Sequence, residues 1–84
     1  MRLLFEGQGW EDYTSWLRND RKTLARINQL VEDVKRDPFT GIGQPELLEY
    51  RLPGAWPRRT DDEHHLVHLV TDKGIVILAA RCHC

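Results

Sequence analysis

His64-His65-Leu66-Val67-His68-Leu69-Val70-Thr71-Asp72-Lys73-Gly74-Ile75-Val76-Ile77-Leu78-Ala79-Ala80-Arg81-Cys82 is the stretch that decides the fold. Apolar and β-branched residues crowd both sides of Asp72-Lys73-Gly74, and a short turn of this chemistry between two such runs predicts an antiparallel hairpin. One strand is expected over residues 64–70 and a stronger one over residues 75–82. Immediately upstream, Asp61-Asp62 is a turn signal, and residues 55–60 run back as a further strand in which Pro57 demotes part to an edge or a bulge. Before that, Leu48, Tyr50 and Leu52 alternate with Glu49 and Arg51, the period of a half-buried strand, until Pro53-Gly54 turns the chain.

Nearer the N-terminus the period changes. Trp10, Tyr13, Trp16 and Leu17 recur at three- to four-residue spacing, so a first helix ends near Asn19-Asp20 with both tryptophans facing the core. Asn19 or Asp20 suits the cap of a second helix, in which Leu24, Ile27, Leu30, Val31 and Val34 form an apolar stripe opposite Lys22, Arg26, Gln29 and Asp33. Asp37-Pro38 stops it, because proline disfavours the helical conformation in the residue before it. Residues 2–6 read as a short strand. Residues 38–46, with two glycines and two prolines, read as an ordered loop, since apolar residues follow at once. The predicted fold is α+β: a single domain over residues 1–84, a curved antiparallel sheet with the two N-terminal helices packed on one face.

A chain of 84 residues builds a modest core, so a partner or self-association contributes readily to its stability. Thirteen acidic residues against twelve basic, a net charge of -1, argue against strong, sequence-blind attraction to nucleic acid. The charges are unevenly placed: Arg18, Arg21, Lys22, Arg26, Lys35 and Arg36 lie along the helices, Arg58-Arg59 adds to them, and Asp61-Asp62-Glu63 is acidic. The two cysteines, Cys82 and Cys84, make no disulfide framework, and Leu3-Leu4-Phe5 is too short for a signal peptide or a membrane span. A cytoplasmic protein with reduced thiols and no membrane association is expected. The cysteines and the histidines at 64, 65, 68 and 83 are residue types that zinc prefers. A Cys-x-Cys whose central His83 points to the opposite strand face is nevertheless a weak motif, and neither metal nor cofactor is expected.

Along the final strand Ile75, Ile77, Ala79, Arg81 and His83 share one parity, and in the preceding strand His65, Val67 and Leu69 do. The hairpin makes the strands neighbours, so His65, Arg81 and His83 are expected to converge at one end of the sheet. Taken alone, such residues are ordinarily solvated. Glu46, after Pro45 in a glycine-containing loop, offers a carboxylate, and a glutamate with a histidine makes a general base and a general acid. Trp56, beside Arg58-Arg59, is expected to pack on the helices rather than stack on a base.

The spacing of Trp10-Glu11-Asp12-Tyr13, Trp16, Asp20-Arg21-Lys22, Ile27-Asn28, Arg36-Asp37-Pro38-Phe39, Gly41, Gly43, Pro45-Glu46, Gly54, Trp56, Arg58-Arg59, Asp62-Glu63-His64, Ala80-Arg81 and His83 resembles the YoeB toxins of bacterial toxin–antitoxin pairs, within the RelE superfamily. The resemblance runs end to end and is most specific at Pro-Phe-x-Gly-x-Gly-x-Pro-Glu followed by Trp-x-Arg-Arg. It implies the small RelE-like fold, and a ribosome-dependent endoribonuclease that cuts messenger RNA in the A site and is restrained by a YefM-like antitoxin. In that mechanism Glu46 takes the proton from a ribose 2′-hydroxyl, which attacks the adjacent phosphate, and His83 protonates the departing 5′-oxygen. Partners so implied are the antitoxin and the ribosome with its messenger RNA, with a homodimer open.

The chain departs from the family pattern at particular positions. His65 stands where the resemblance implies a phosphate-clamping arginine. Arginine is charged at any working pH and forks onto a phosphate, whereas histidine as a residue type, with a pKa of roughly 6.5, is mostly neutral at pH 7. Cys84 replaces a final tyrosine that helps to hold substrate, Glu49 replaces a frequent basic residue, and Pro57 replaces a small polar one. The resemblance thus implies catalytic positions at Glu46, His65, His83 and Cys84, and RNA-contacting ones at Arg58, Arg59, Arg81 and Glu49. Two readings stand: an attenuated nuclease, or a toxin-fold protein that binds antitoxin or ribosome without cleaving. The joint presence of Glu46, Arg59, Arg81 and His83 favours the first.

Overall fold

The computed structural model describes residues 2–43, 45 and 54–81, in the order β1 (Leu3–Phe5), α1 (Gly7–Asn19), α2 (Arg21–Arg36), β2 (Ala55–Arg59), β3 (His65–Thr71) and β4 (Gly74–Ala79). The strand expected around Leu48, Tyr50 and Leu52 lies outside the described residues. Asp20 caps α2, its Oδ1 accepting from the amides of Lys22 at 3.0 Å and Thr23 at 3.3 Å and its Oδ2 from the Thr23 hydroxyl at 2.9 Å. The Thr23 hydroxyl above all holds the Asp20 carboxyl below its ordinary pKa. The expected stripe is the buried one: Ile27, Leu30, Val31 and Val34 join Trp16, Leu66, Ile75, Ile77 and Ala80 in the core, with Leu24 partly buried beside them.

α1 meets the sheet differently from its apolar period. Its buried residues are Gly9, Asp12 and Trp16, while Trp10 and Leu17 are 53% and 51% exposed. The expectation that Trp10 lies in the core is therefore corrected; only Trp16 does. Gly9 sets the rotation of the helix. A Cβ there would collide with the Ile77 carbonyl oxygen, so helix backbone lies directly against strand backbone. Asp12 then reaches the Ala80 amide at 2.9 Å through Oδ2, and the Trp16 indole N–H donates to the Ala80 carbonyl at 2.9 Å. Both backbone groups of one buried residue are satisfied by one helix. Trp10 instead stands edge-on to Phe5, ring centroids 5.4 Å apart.

The described strands form one sheet in the order β1-β4-β3-β2. β2, β3 and β4 are antiparallel as expected, and the β3–β4 hairpin turns at Asp72-Lys73 with Thr71 opposite Gly74. β1 departs from that expectation by joining β4 in parallel, Leu3 opposite Ile75, which makes the sheet mixed. A three-residue strand with no hairpin turn of its own carries no local signal of its partner. A bulge where Val67 faces Ala79 but His68 faces Ile77 also breaks the parity of β4, so that the apolar residues buried along it and just beyond its end are Ile75, Ile77 and then Ala80. Arg81 consequently does not continue the face of Ile75 and Ile77.

Candidate functional site

The turn from β2 to β3 brings Arg59 and His65 together. Asp61 Oδ1 accepts from the amides of Glu63 at 2.8 Å and His64 at 2.7 Å, and the Thr60 amide donates to the His64 carbonyl at 3.0 Å. The His64 amide is the main cause holding the Asp61 carboxyl below its ordinary pKa. With this turn closed, Arg59 and His65 are cross-strand partners; Arg59 is exposed and His65 half-buried. The Arg59 amide donates at 2.6 Å to the carbonyl of Gly43, which ties residues 41–43 to the same strand.

Arg58 points the other way, as alternation along a strand requires. Its side chain is 0% exposed, and its Nη1 donates to Asp33 Oδ2 at 2.5 Å and the Ile42 carbonyl at 3.0 Å, its Nη2 to the carbonyls of Asp37 at 2.6 Å and Thr40 at 2.8 Å. The expectation of Arg58 as an RNA contact is corrected: every described bond of this guanidinium is internal. Asp33 also accepts from Arg36 Nε at 2.9 Å and the Ile42 amide at 2.9 Å, and the Arg36 bond first, with Arg58 and Ile42 after it, holds its carboxyl well below the usual carboxylate range. His68 completes the underside of the loop. Entirely buried, its Nε2 donates to the Pro38 carbonyl at 2.8 Å, so the neutral ring carries its proton there. Desolvation, aided by the charge on Arg58, pushes its pKa down to about 4.

Arg81 lies over Trp16, its guanidinium carbon 3.9 Å from the ring centroid, and donates to Ser15 Oγ at 3.0 Å and Asn19 Oδ1 at 2.9 Å. The His64 ring meets the same indole edge-on, centroids 4.8 Å apart. Arg81 is thus a pre-oriented cation on neutral acceptors, with no carboxylate partner among the described residues. Trp56, expected to pack on the helices, stands against the loop aromatic Phe39 with ring centroids 4.9 Å apart. Glu46, Glu49, His83 and Cys84 lie outside the described residues. Among the described residues no cluster of three or more His, Cys, Asp or Glu could hold a metal, and no helix is long and apolar enough to cross a membrane.

The structure thus brings Arg59 and His65 together across β2 and β3 and holds Arg81 against α1, and no described contact joins Arg81 to that pair. Sequence reasoning missed Asp33, His68, Asp12 and Gly9. The sequence showed Asp33 only as part of the polar face of the second helix, His68 only as a zinc-type residue and Asp12 only within the motif that carries the resemblance, and it gave no sign of the contacts that any of them, or Gly9, makes.

Residues 5–84 match the family described as YoeB-like toxin of bacterial type II toxin–antitoxin system. Toxin YoeB of Streptomyces coelicolor is 52% identical over 83 residues, 99% of each chain. Among solved structures, a YoeB/ParE toxin from Agrobacterium tumefaciens superposes with a TM-score of 0.93 at 36% identity, covering 100% of both chains. A YoeB–YefM complex and a YoeB dimer from Staphylococcus aureus each give 0.89, at 35% and 36% identity, covering 100% of this chain and 98% of theirs.

Proposed function

The chain belongs to the YoeB-like toxins of bacterial type II toxin–antitoxin systems, and from that premise we propose that it is a ribosome-dependent endoribonuclease cutting messenger RNA in the A site. Glu46 acts as general base on the ribose 2′-hydroxyl, and His83 as general acid on the departing 5′-oxygen. Arg59, His65 and Arg81 contact phosphate and spread the charge that builds up in the transition state. The observation that carries this reading is the 2.6 Å bond from the Arg59 amide to the Gly43 carbonyl: the loop that leads within three residues to Glu46 is fastened to the strand that presents Arg59 opposite His65. A YefM-like antitoxin is the proposed inhibitor and a homodimer the proposed free form, on the likeness to the Staphylococcus aureus complex and dimer.

Because His65 replaces an arginine at this point, the proposed activity is weaker than that of a toxin carrying the guanidinium. Primer extension on messenger RNA bound to programmed ribosomes tests both statements. Cuts confined to the A-site codon are expected from the wild type, lost in Glu46→Ala and His83→Ala, and about tenfold faster in His65→Arg. An intact transcript together with preserved ribosome binding would instead establish a binder that does not cleave, the reading that Glu49 and Cys84 favour.

A further inference from the structure

The loop ahead of Glu46 is held from below by a group that has no surface left to offer a ligand. Three of its carbonyls, those of Asp37, Thr40 and Ile42, converge on the one buried guanidinium of Arg58, and a carboxylate from α2, Asp33, takes both that guanidinium and the Ile42 amide. Pro38 is held through its carbonyl by His68, and Gly43 through its carbonyl by the Arg59 amide. Gly43 crosses this post at φ +82, where a Cβ would come within 2.8 Å of Leu30 Cδ2 and 3.0 Å of Arg58 Cβ. We infer that Arg58 is a positioning residue for the proposed reaction: its buried fork sets the path of residues 37–43, the segment from which the chain runs on to Glu46, the proposed general base. This rests on the nuclease reading given above.

The stereochemistry demands arginine. Only a planar fork reaches a carboxylate and three carbonyls from one side chain; lysine has the charge but places its donors on a single nitrogen and cannot span the loop. Fixing a catalytic loop acts on the rate of the chemical step, because a base displaced by about 1 Å costs on the order of a hundredfold while substrate contacts elsewhere persist. The signature is thus a fall in the cleavage rate constant at saturation without a matching loss of ribosome affinity.

Single-turnover cleavage on programmed ribosomes, with parallel titrations of ribosome binding, compares the wild type with Arg58→Lys and with Asp33→Asn, which keeps one acceptor oxygen for the Ile42 amide and Arg58 but removes the charge and the acceptor that faces Arg36. At a temperature where melting curves show the variants folded, the rate constant is expected to fall about tenfold or more in Arg58→Lys and less in Asp33→Asn, with affinity within about twofold of wild type. Folded variants that cleave at the wild-type rate overturn the inference, and so does a loss confined to affinity. Hydrogen exchange at the Ile42 and Arg59 amides is read in the same proteins and is expected to speed up in both. If the wild type itself fails to cut, the nuclease reading falls alone, and exchange decides the clamp: unchanged protection in both variants overturns it. Should Arg58→Lys not fold, Asp33→Asn carries both readouts.

Discussion

A histidine sealed between a carbonyl and an arginine makes the stability of this protein depend on pH through a residue outside the proposed chemistry. His68 is neutral in the fold because desolvation and the nearby Arg58 charge oppose its protonation, its Nδ1 being buried without a bond among the described residues. Its folded pKa of about 4 lies below the unfolded value near 6.5. Above pH 6.5 neither state binds the proton. As pH falls from there toward 4 only the unfolded chain takes it up, so stability declines across that window, by on the order of 3 kcal/mol at most. Urea unfolding at pH 7.5 and pH 5 should show this loss, and His68→Gln, which keeps a donor for Pro38, should remove most of it; an equal pH dependence in the variant would assign the effect elsewhere. Arg58 and Arg59 carry a parallel lesson. Strand alternation predicts that they face opposite ways, but which one is swallowed depends on Asp33 and on loop carbonyls remote in sequence, so the sequence alone could not separate clamp from surface contact.

At the scale of elements, α2 was legible because its apolar stripe, its Asp20 cap and its proline stop all agree, and four of its stripe residues are buried. α1 was only half legible. Its contact face is set by Gly9 and Asp12, a missing side chain and a polar one, and hydrophobic periodicity counts neither. This leads to a paired test. Gly9→Ala places a methyl against the Ile77 carbonyl and should destabilise by about 2 kcal/mol or more, whereas Gly7→Ala, with nothing within 4 Å of its new Cβ, should be neutral to within about 0.5 kcal/mol. Equal denaturation midpoints for the two variants would mean that α1 is not seated on β4 by backbone contact. The parity argument that aligned Arg81 with Ile75 and Ile77 failed for an equally local reason, since a bulge leaves no mark in a run of apolar residues. Glu46 and His83, which the family resemblance singled out, lie outside the described residues, and their roles stand as proposals.

For the molecule as a whole, a net charge of -1 means that the proposed attraction to RNA must come from a few placed cations rather than a general field. Arg59, exposed and without a carboxylate partner among the described residues, and Arg81, set on Trp16, are such cations. Arg59→Ala should lower the salt dependence of ribosome binding by about one unit in the slope of log affinity against log salt, while Lys35→Ala, whose ammonium already faces Glu32 at 3.5 Å, should leave it unchanged. Equal slopes in wild type and Arg59→Ala would remove Arg59 from the contact surface. The two bonds that hold Ala80 also have a kinetic meaning. They join residues 68 and 64 positions apart, and the parallel seam of β1 with β4 is equally remote in sequence, so helix α1 is synthesised long before the strand that completes its seat. Contacts of such separation carry a large loop-closure cost and form late. A nascent chain therefore carries α1 with its seat unfilled until β4 has left the ribosome, so the contact between this helix and the sheet closes only after the strand has been synthesised.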